Sequence, residues 1–371
     1  MKLPIPAEEQ FRAPAHHERV TSKIGLALAI TFTTCFVTGL LSHLIQHPPA
    51  WFFWPSRPAG LYRVTQGLHV ISGVASIPLL PAKLWSVYPK LFGRPLVRSL
   101  PHALERLSIL VLSGAAFFEL TTGLLNVAQN YPWGFSFPQV HYAVAWLAIG
   151  SVLVHVAVKL PIIRRALSRA TVEEPPAAGL SRRAFLLMTG LATGTAVVAT
   201  AGATVPFLRG VSGLAWKTGK GTQNLPVNRT AAAAGITWSS SWRLSVATPR
   251  GTTKFSLEEL RALPQTTADL PIACVEGWSQ SATWRGISLP TLLEAVGAAP
   301  GTAVRVTSSE RGGLYGVSVL PGEHTSDELT LLALELNGEV LAPDHGFPCR
   351  IIAPNRPGVL QTKWVTKLEA L

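Results

Sequence analysis

Five stretches of this chain are apolar over a length that crosses a lipid bilayer, and this constrains the fold more than any other feature. A helix needs about 20 apolar residues to span the hydrocarbon core, and such stretches lie at residues 24–45, 64–82, 107–129, 140–158 and 184–208. Only 14% of the 371 residues are charged and 48% are hydrophobic, which is unlike an ordinary soluble protein. The sequence therefore predicts an N-terminal all-α transmembrane helix bundle of four helices with a fifth anchor helix.

The basic residues predict the orientation of these helices. The chain has 17 Lys and Arg against 7 Asp and Glu up to Leu208, and 15 against 13 after it. The excess lies between the second and third stretches and after the fourth, whereas the loops at 46–63 and 130–139 carry only Arg57 and Arg63. By the positive-inside rule we expect multi-pass insertion in the cytoplasmic membrane, a cytoplasmic N-terminus and an extracytoplasmic C-terminal domain. Short basic loops of this kind indicate contact with the lipid bilayer, so nucleic-acid binding is not expected.

A second sorting feature lies between the fourth helix and the C-terminal region. Residues 181–186 read Ser-Arg-Arg-Ala-Phe-Leu and precede a weakly hydrophobic run, which resembles a twin-arginine export signal inside the chain. That route exports folded proteins and suits a domain that takes up a cofactor in the cytoplasm; a plain positive anchor is the alternative. We therefore divide the chain into a four-helix membrane domain (1–165), a cytoplasmic linker with the twin-arginine motif and fifth transmembrane helix (166–208), and a soluble domain (209–371).

The soluble domain has a different pattern from the helical region. Short apolar runs at 243–247, 303–307 and 350–353 are broken by Gly and Pro, which is typical of strands. Two short helices are predicted at 257–262 and 289–296. The C-terminal fold class is therefore α+β, rich in strands.

Three motifs stand in order near the C-terminus. They are Asn-Gly-Glu at 337–339, Asp-His-Gly-Phe-Pro-Cys-Arg at 344–350 and Lys-Trp at 363–364. Taken singly, such Gly and Pro residues indicate only turns. The ordered series resembles the sulfite-oxidase-type molybdopterin-binding domain over about 224–371. The resemblance implies a set of residues that bind the molybdenum–molybdopterin cofactor: Asn224, His345, Arg350, Gln361, Thr362 and Lys363.

An upstream motif, Cys-Val-Glu-Gly-Trp-Ser at 274–279, contains the residue that the resemblance identifies as a metal ligand. In the family a single cysteine at this position ligates molybdenum, a role that the resemblance implies for Cys274; a soft thiolate suits such a metal. An inert core cysteine or a disulfide with Cys349 is the alternative. The resemblance also implies an active-site tyrosine, Tyr315, while Glu276 is a candidate proton donor. For both, a purely structural hydrogen bond is the competing interpretation.

The form of this motif favours one branch of the family. It resembles the bacterial methionine-sulfoxide reductases, whereas sulfite oxidases carry Cys-x-Gly-Asn-Arg. Two basic residues that flank an oxyanion in sulfite and nitrate enzymes have no counterparts here, since Thr222 and Leu360 stand in the corresponding segments. An anionic substrate would lack its ion partners. We therefore expect the substrate to be an S-oxide or N-oxide, either a small molecule or a group on a protein.

Histidines within the apolar stretches indicate haem. A membrane histidine is costly unless it binds something. His141 and His155 lie on one face of the fourth helix, about 21 Å apart along its axis, as two stacked haems of b type require. Candidate partners are His69 on the second helix, His43 at the outer end of the first and His102 at the inner start of the third. By depth, His141 pairs with His69 or His43, and His155 with His102. The resemblance to cytochrome-b bundles is loose.

Together these features predict an enzyme that passes electrons from membrane quinol through haem b to molybdenum. Glu119 in the third helix either relays protons at a quinol site or forms a neutral structural hydrogen bond. The same parts run in reverse would oxidise a sulfur compound such as sulfite and deliver electrons to the membrane. A metal-free binding module is an alternative of another class, and the intact Cys274, Arg350 and Lys363 argue against it.

Overall fold

The computed structural model describes residues 13–92, 95, 97, 99–168, 179–215, 221–237, 239–299, 301–313 and 315–371. Residues 169–178 of the predicted linker lie outside this set. The chain forms two compact units, each assembled from separate segments. The first, the helical unit, comprises Met1–Leu40, Leu68–Ala201 and Gly210–Leu214; the second, the sheet unit, comprises Leu41–Gly67, Gly202–Arg209 and Ala215–Leu371. The boundaries at 165 and 208 stay predictions.

Five long helices follow the five apolar stretches, as predicted. They are α1 (Glu18–Gln46), α2 (Leu61–Val87), α3 (Leu100–Val127), α4 (Phe137–Leu167) and α5 (Arg182–Ala201), and all five are long and apolar enough to cross a membrane. Large apolar side chains remain exposed along them, for example Ile30 at 59%, Leu110 at 68% and Leu153 at 64%. Helices that are apolar on their exposed faces are suited to lipid, where all backbone groups must be satisfied internally.

The sheet unit is α+β, as predicted. Its strands are β1 (Leu244–Thr248), β2 (Gly251–Phe255), β3 (Thr266–Ala273), β4 (Ser279–Ser288), β5 (Val304–Ser308), β6 (Val317–Leu320), β7 (Leu331–Leu336), β8 (Glu339–Val340), β9 (Arg350–Ile352) and β10 (Val365–Ala370). Three short helices accompany them: α6 (Leu257–Ala262), α7 (Leu289–Ala295) and α8 (Gly322–Thr325). One sheet has the order β2-β1-β10-β5-β6, with β1 parallel to β10; the other has the order β3-β4-β7-β8, with β9 also pairing with β7.

Strands β4 and β7 pair closely, and this pairing positions a buried tryptophan beside Arg350. A Cβ on Gly286 would lie 2.1 Å from the carbonyl oxygen of Leu332, so only glycine fits where the pairing shifts register. Two residues earlier, Trp284 is fully buried. Its ring lies 5.0 Å from the guanidinium of Arg350 on β9. The Trp-x-Gly pattern therefore fixes an aromatic surface under a buried cation.

Candidate functional sites

A small cavity in the sheet unit collects residues from motifs that are far apart in sequence. Four of the predicted site residues line it: Cys274, His345, Arg350 and Lys363. The other lining residues are Leu225, Pro226, Val227, Asn228, Ile272, Trp278 and Gly358. The fold thus joins the predicted metal ligand to the predicted cofactor-binding cations.

Cys274 lies at the end of β3 in a tight turn. Its backbone N–H donates to the carbonyl of Trp278 at 2.8 Å, and its carbonyl accepts from Gly277 at 3.1 Å. Gly277 has a φ of +87°, which explains a glycine at this position. No disulfide joins Cys274 to Cys349; the Cys349 thiol is fully buried and lies 3.6 Å from the carbonyl of Val365. Burial raises the pKa of Cys349, so this second thiol is a neutral core residue.

Arg350 is a buried cation held only by carbonyl groups. Its Nη1 donates to the carbonyl of His345 at 3.1 Å and its Nη2 to that of Gln361 at 3.0 Å. Its Nε has no hydrogen-bond partner within the described part of the chain, and none of the ion pairs there includes it. Burial lowers the pKa of Arg350 to about 9. A guanidinium in this setting matches an anionic ligand such as a phosphate.

Lys363 and His345 complete the polar end of the cavity. The Lys363 ammonium donates to the carbonyls of Arg229 at 2.6 Å and Asp344 at 3.0 Å. Burial, together with the nearby Arg350 guanidinium, lowers the pKa of Lys363 to about 7. Burial also lowers the pKa of His345 to about 4, so near pH 7 its ring is neutral. Its Nε2–H then donates to the carbonyl of Thr222 at 2.6 Å.

The side chains of Gln361 and Thr362 brace the chain beside the cavity. The Gln361 amide exchanges two hydrogen bonds with the backbone of Ala353, at 3.0 and 2.6 Å. The hydroxyl of Thr362 lies 2.7 Å from that of Ser318. Both side chains are buried and engaged. The Gln361 carbonyl accepts from Arg350 and the Thr362 carbonyl from the backbone N–H of Ile351, so the role that the resemblance implied for these two residues stays a prediction.

Asn224 lies outside the set of residues that line the cavity. It is exposed, and its carbonyl accepts a hydrogen bond from Gln280. Asn228, four residues on, lines the cavity instead, and its Oδ1 lies 3.4 Å from the Lys363 ammonium. Sequence reasoning missed Asn228; the repeated asparagine in Asn-Leu-Pro-Val-Asn at 224–228 was the available signal.

Tyr315 and Glu276 lie outside the cavity lining, and each makes a hydrogen bond. The Tyr315 hydroxyl donates to Oε1 of Gln46 at 3.2 Å. Burial and the nearby Cys274 raise the pKa of Tyr315, so it is a protonated donor at neutral pH. The carboxylate of Glu276 accepts from the indole N–H of Trp278 at 3.2 Å. The catalytic roles of Tyr315 and Glu276 stay predictions.

A histidine pair lies within the helical unit. The rings of His69 on α2 and His141 on α4 have their centres 6.4 Å apart and their planes at 73°. His69 Nδ1 lies 2.8 Å from the carbonyl of Cys35. His141 Nδ1 lies 3.1 Å from the carboxylate of Glu119 and 3.2 Å from the hydroxyl of Thr122. Each ring is thus oriented through Nδ1, the arrangement in which Nε2 serves as a metal ligand.

The other predicted histidines lie elsewhere. The ring of His43 packs against that of His47, with centres 4.9 Å apart, in the sheet unit. His102 and His155 both lie close enough to Glu105 to interact with its carboxylate. Of the two partners predicted for His141, the structure brings His69 to it.

Comparisons with known proteins bear on the sheet unit. Residues 230–371 match the family model of the oxidoreductase molybdopterin binding domain. Sulfite oxidase of Arabidopsis thaliana is 29% identical over 32% of this chain and 38% of its own length. The putative protein-methionine-sulfoxide reductase subunit YedZ1 of Azospira oryzae is 29% identical over 31% of this chain and 42% of its own length.

Two further matches concern an oxidoreductase and a solved structure. The uncharacterized oxidoreductase YuiH of Bacillus subtilis is 30% identical over 31% of this chain and 57% of its own length. The sulfane dehydrogenase SoxCD of Paracoccus pantotrophus matches with a TM-score of 0.34 and 21% identity, over 42% of this chain and 49% of that one. The chain thus matches less than two thirds of the length of each of these relatives. The family match falls on the part of the chain that carries Cys274, His345, Arg350 and Lys363, so the cavity lies within a region similar to the oxidoreductase molybdopterin binding domain.

Proposed function

We propose that the chain is a membrane-bound oxidoreductase that passes electrons from quinol, through haem b, to an S-oxide or N-oxide type substrate at an extracytoplasmic molybdenum site. One observation carries the proposal: a single cavity joins the Cys274 thiol to Arg350 and Lys363. A thiol beside buried cations is the donor set that a metal held by a phosphate-bearing pterin needs.

The cavity fits the cofactor on chemical grounds. The Arg350 guanidinium is 4% exposed and bonds only to carbonyl oxygens, so a phosphate would supply the charge that it lacks. Lys363 adds a second donor, and neutral His345 keeps its ring fixed by Thr222. When bound, the cofactor supplies the two-electron oxygen-atom chemistry; these residues hold and orient it.

The His69–His141 pair supports haem b in the helical unit. His69 and His141 would hold the haem iron, since imidazoles are common axial haem ligands and the two rings lie close together on facing helices. The contact of Glu119 with His141 favours a role in orienting this ligand, and a proton relay to quinol is the further use of the same carboxylate.

An uncharged substrate is favoured by the groups around Cys274. Tyr315 and Tyr62 both lie near the Cys274 thiol, and Tyr315 bonds to the uncharged Gln46. The name of the Azospira oryzae relative points to sulfoxides of methionine. Methionine sulfoxide, free or within a protein, is therefore the substrate that we propose.

The proposed orientation in the membrane is supported by which segments of the chain make up the sheet unit. The loop between α1 and α2 belongs to the same compact unit as residues 215–371, which supports our proposal that both lie on the same side of the membrane. Four crossings separate them, in agreement with the positive-inside prediction.

Changing Arg182 and Arg183 to Lys keeps the charge and removes the twin-arginine pair, so the sheet domain should stay cytoplasmic and resist protease added from outside. Unchanged cleavage would show that the pair is only a positive anchor.

The function is tested on the purified full chain from a host that makes both cofactors. We expect molybdenum and pterin in equal amounts, haem b spectra on reduction by a quinol analogue, and reoxidation of that haem by methionine sulfoxide or trimethylamine N-oxide. Reduction of the haem by sulfite would instead support the reverse direction, which the match to sulfite oxidase favours. Protein without molybdenum would overturn the enzyme assignment in favour of a binding module.

A further inference from the structure

The segment 41–67, which contains the outer ends of α1 and α2 and the loop between them, packs within the sheet unit around one asparagine. Asn355 Oδ1 accepts from the backbone N–H of Tyr62 at 2.6 Å, and its Nδ2 donates to the carbonyl of Pro55 at 2.6 Å. The Asn355 backbone N–H donates to Ala59 at 3.0 Å, and its carbonyl accepts from the indole of Trp54 at 2.8 Å. All the polar groups of Asn355 are therefore engaged by this one segment.

Asn355 lies in the loop that connects two groups of predicted cofactor-binding residues, Arg350 on β9 and residues 361–363. Asn355 is 2% exposed and has a φ of +53°, a conformation that asparagine tolerates better than most residues. A bidentate ion pair from Arg57 to Asp327, at 2.8 and 2.9 Å, adds a second contact between the segment and the rest of the sheet unit. The buried Asn355 bonds stabilise the first contact, because the same groups left unpaired would each be costly.

The same segment contacts the chain on both sides of Cys274. Tyr62 and Ile45 pack against Ala273, the residue before the cysteine. The side-chain amide of Gln66 donates to the carbonyl of Val275, the residue after it, at 3.4 Å. Tyr62 is 1% exposed, so this packing excludes water from that side of the Cys274 turn.

The last residue of α1 bonds to the active-site tyrosine. Gln46 Oε1 accepts from the Tyr315 hydroxyl at 3.2 Å. Its Nε2 donates to the carbonyl and the hydroxyl of Ser42 at 3.1 and 3.2 Å, which fixes the amide. The Ser42 hydroxyl lies 2.9 Å from that of Tyr62. A continuous uncharged network thus runs from the start of α2 to Tyr315.

We propose that the segment 41–67 forms a wall behind the Cys274 turn, one layer outside the residues that line the cavity, and that Gln46 is a positioning residue, which aims the Tyr315 hydroxyl at the substrate oxygen. This inference rests on the proposed function of the cavity. It adds a residue from the helical part of the sequence to the machinery of the soluble domain. The domain at 209–371 is accordingly incomplete without the outer ends of α1 and α2.

The first test compares full-length Gln46→Leu, Tyr315→Phe and the double variant, with racemic methionine sulfoxide and reduced benzyl viologen as donor. Tyr315→Phe should lower kcat/KM about 10- to 100-fold, since it removes a donor to the substrate. Gln46→Leu should lower it about 3- to 10-fold, and the double variant should match Tyr315→Phe within about twofold, because the two residues act as one unit. Gln46→Glu keeps an oxygen acceptor and should restore most of the loss.

A spectroscopic comparison separates positioning from general damage. Gln46→Leu and Tyr315→Phe should change the electron paramagnetic resonance spectrum of half-reduced molybdenum in the same way, with unchanged molybdenum content. Additive losses in the double variant, or an unaltered spectrum in Gln46→Leu, would overturn the role of Gln46. If the wild type holds molybdenum but reduces no sulfoxide, the proposed substrate fails and the spectra still decide the question.

A second test needs no cofactor. Asn355→Ala should speed hydrogen exchange at residues 54–62 at least about tenfold, because their buried bonds to Asn355 are lost. Asn337→Ala is the matched control: Asn337 also has a positive φ and two bonded side-chain groups, but its partners are Thr283 and Gln223. Equal exchange at 54–62 in wild type and Asn355→Ala would overturn the wall, whether or not the protein binds molybdenum.

Discussion

A histidine pair in the helical unit and a buried arginine in the sheet unit are held by different kinds of partner. In the helical unit, the ring of His141 has a carboxylate neighbour, Glu119 at 3.1 Å, and the ring of His69 has the Cys35 carbonyl at 2.8 Å. In the sheet unit, the Arg350 guanidinium bonds only to the carbonyls of His345 and Gln361. The two histidine rings thus have oriented neighbours, whereas Arg350 has no carboxylate partner among the described residues. Arg356 is buried and bonded to carbonyls in the same way but does not line the cavity.

This difference indicates what each region is built to hold. A buried cation without a carboxylate is costly, and Arg350, unlike Arg356, lines a cavity in which a ligand can bring the negative charge. A histidine held through Nδ1 by an acceptor keeps a fixed ring and a second nitrogen for a metal, which needs no added anion. The sheet unit therefore fits an anionic organic cofactor, and the helical pair fits a metal between two imidazoles.

The largest effect on turnover is expected from a change at the Cys274 sulfur, the predicted metal ligand of the sheet unit. Cys274→Ser should lower viologen-linked turnover at least about 100-fold, because even contacts outside the metal's own ligands are worth 10- to 100-fold. Pterin content should remain, since Arg350 and Lys363 are unchanged. Cys349→Ser is the matched control at a buried thiol outside the cavity, and it should keep its activity per bound molybdenum. Equal turnover in the two variants would show that Cys274 is not a ligand of the metal.

The histidine pair predicts which haem each variant loses. His69→Ala and His141→Ala should remove the same haem, about half of the total if two are bound, and the double variant should lose no more than either single one. His155→Ala should remove a different haem. Haem per protein is read from the pyridine adduct spectrum, and dye-driven turnover at molybdenum should persist in all of them. Loss of both haems in the double variant would show that His69 and His141 ligate different irons.

Much of the fold and of the cavity was predictable because the relevant residues are local in sequence. The five helices follow from apolar length, and Arg350, His345 and Cys274 stand in short motifs that fix their own turns. The role of Asn224 stays a prediction: a positive-φ turn lies at 223–224, and Asn228 rather than Asn224 lines the cavity.

Other parts of the site had no signal in the sequence. Gln46 and Asn355 act through contacts that span 269 residues, for Gln46 to Tyr315, and 293 residues, for Tyr62 to Asn355. Neither residue stands in a motif, and a glutamine at the end of an apolar helix is usually a solvated terminus. Such pairs become visible only when the outer loop and the domain are folded together.

A smaller effect is expected when Arg350 is changed to Lys. Lysine keeps the charge but loses the planar pair of donors, so the affinity for the pterin should fall by about 1.5–3 kcal/mol, or roughly 10- to 100-fold. Arg356→Lys is the control, because Arg356 is also buried and bonded to carbonyls, those of Leu360 and Val319, but does not line the cavity. Pterin released on dialysis measures the difference. Equal release from both variants would mean that the loss reflects damage to the fold.

The smallest predicted effect is a pH dependence that distinguishes the cofactor-free protein from the loaded one. The pKa of Lys363 is about 7 in the folded protein, against an ordinary value near 10.5, chiefly because of burial. Between these values the unfolded chain binds more protons, so the free energy of unfolding rises with pH from about 7 upward. The midpoint of thermal unfolding of cofactor-free protein should therefore rise by about 2–4 °C per pH unit between pH 7 and 9. A bound phosphate favours the charged lysine and should flatten this slope, and Lys363→Met should abolish it. An equally steep slope in Lys363→Met would assign the titration to another group and leave the cavity without its predicted excess of positive charge.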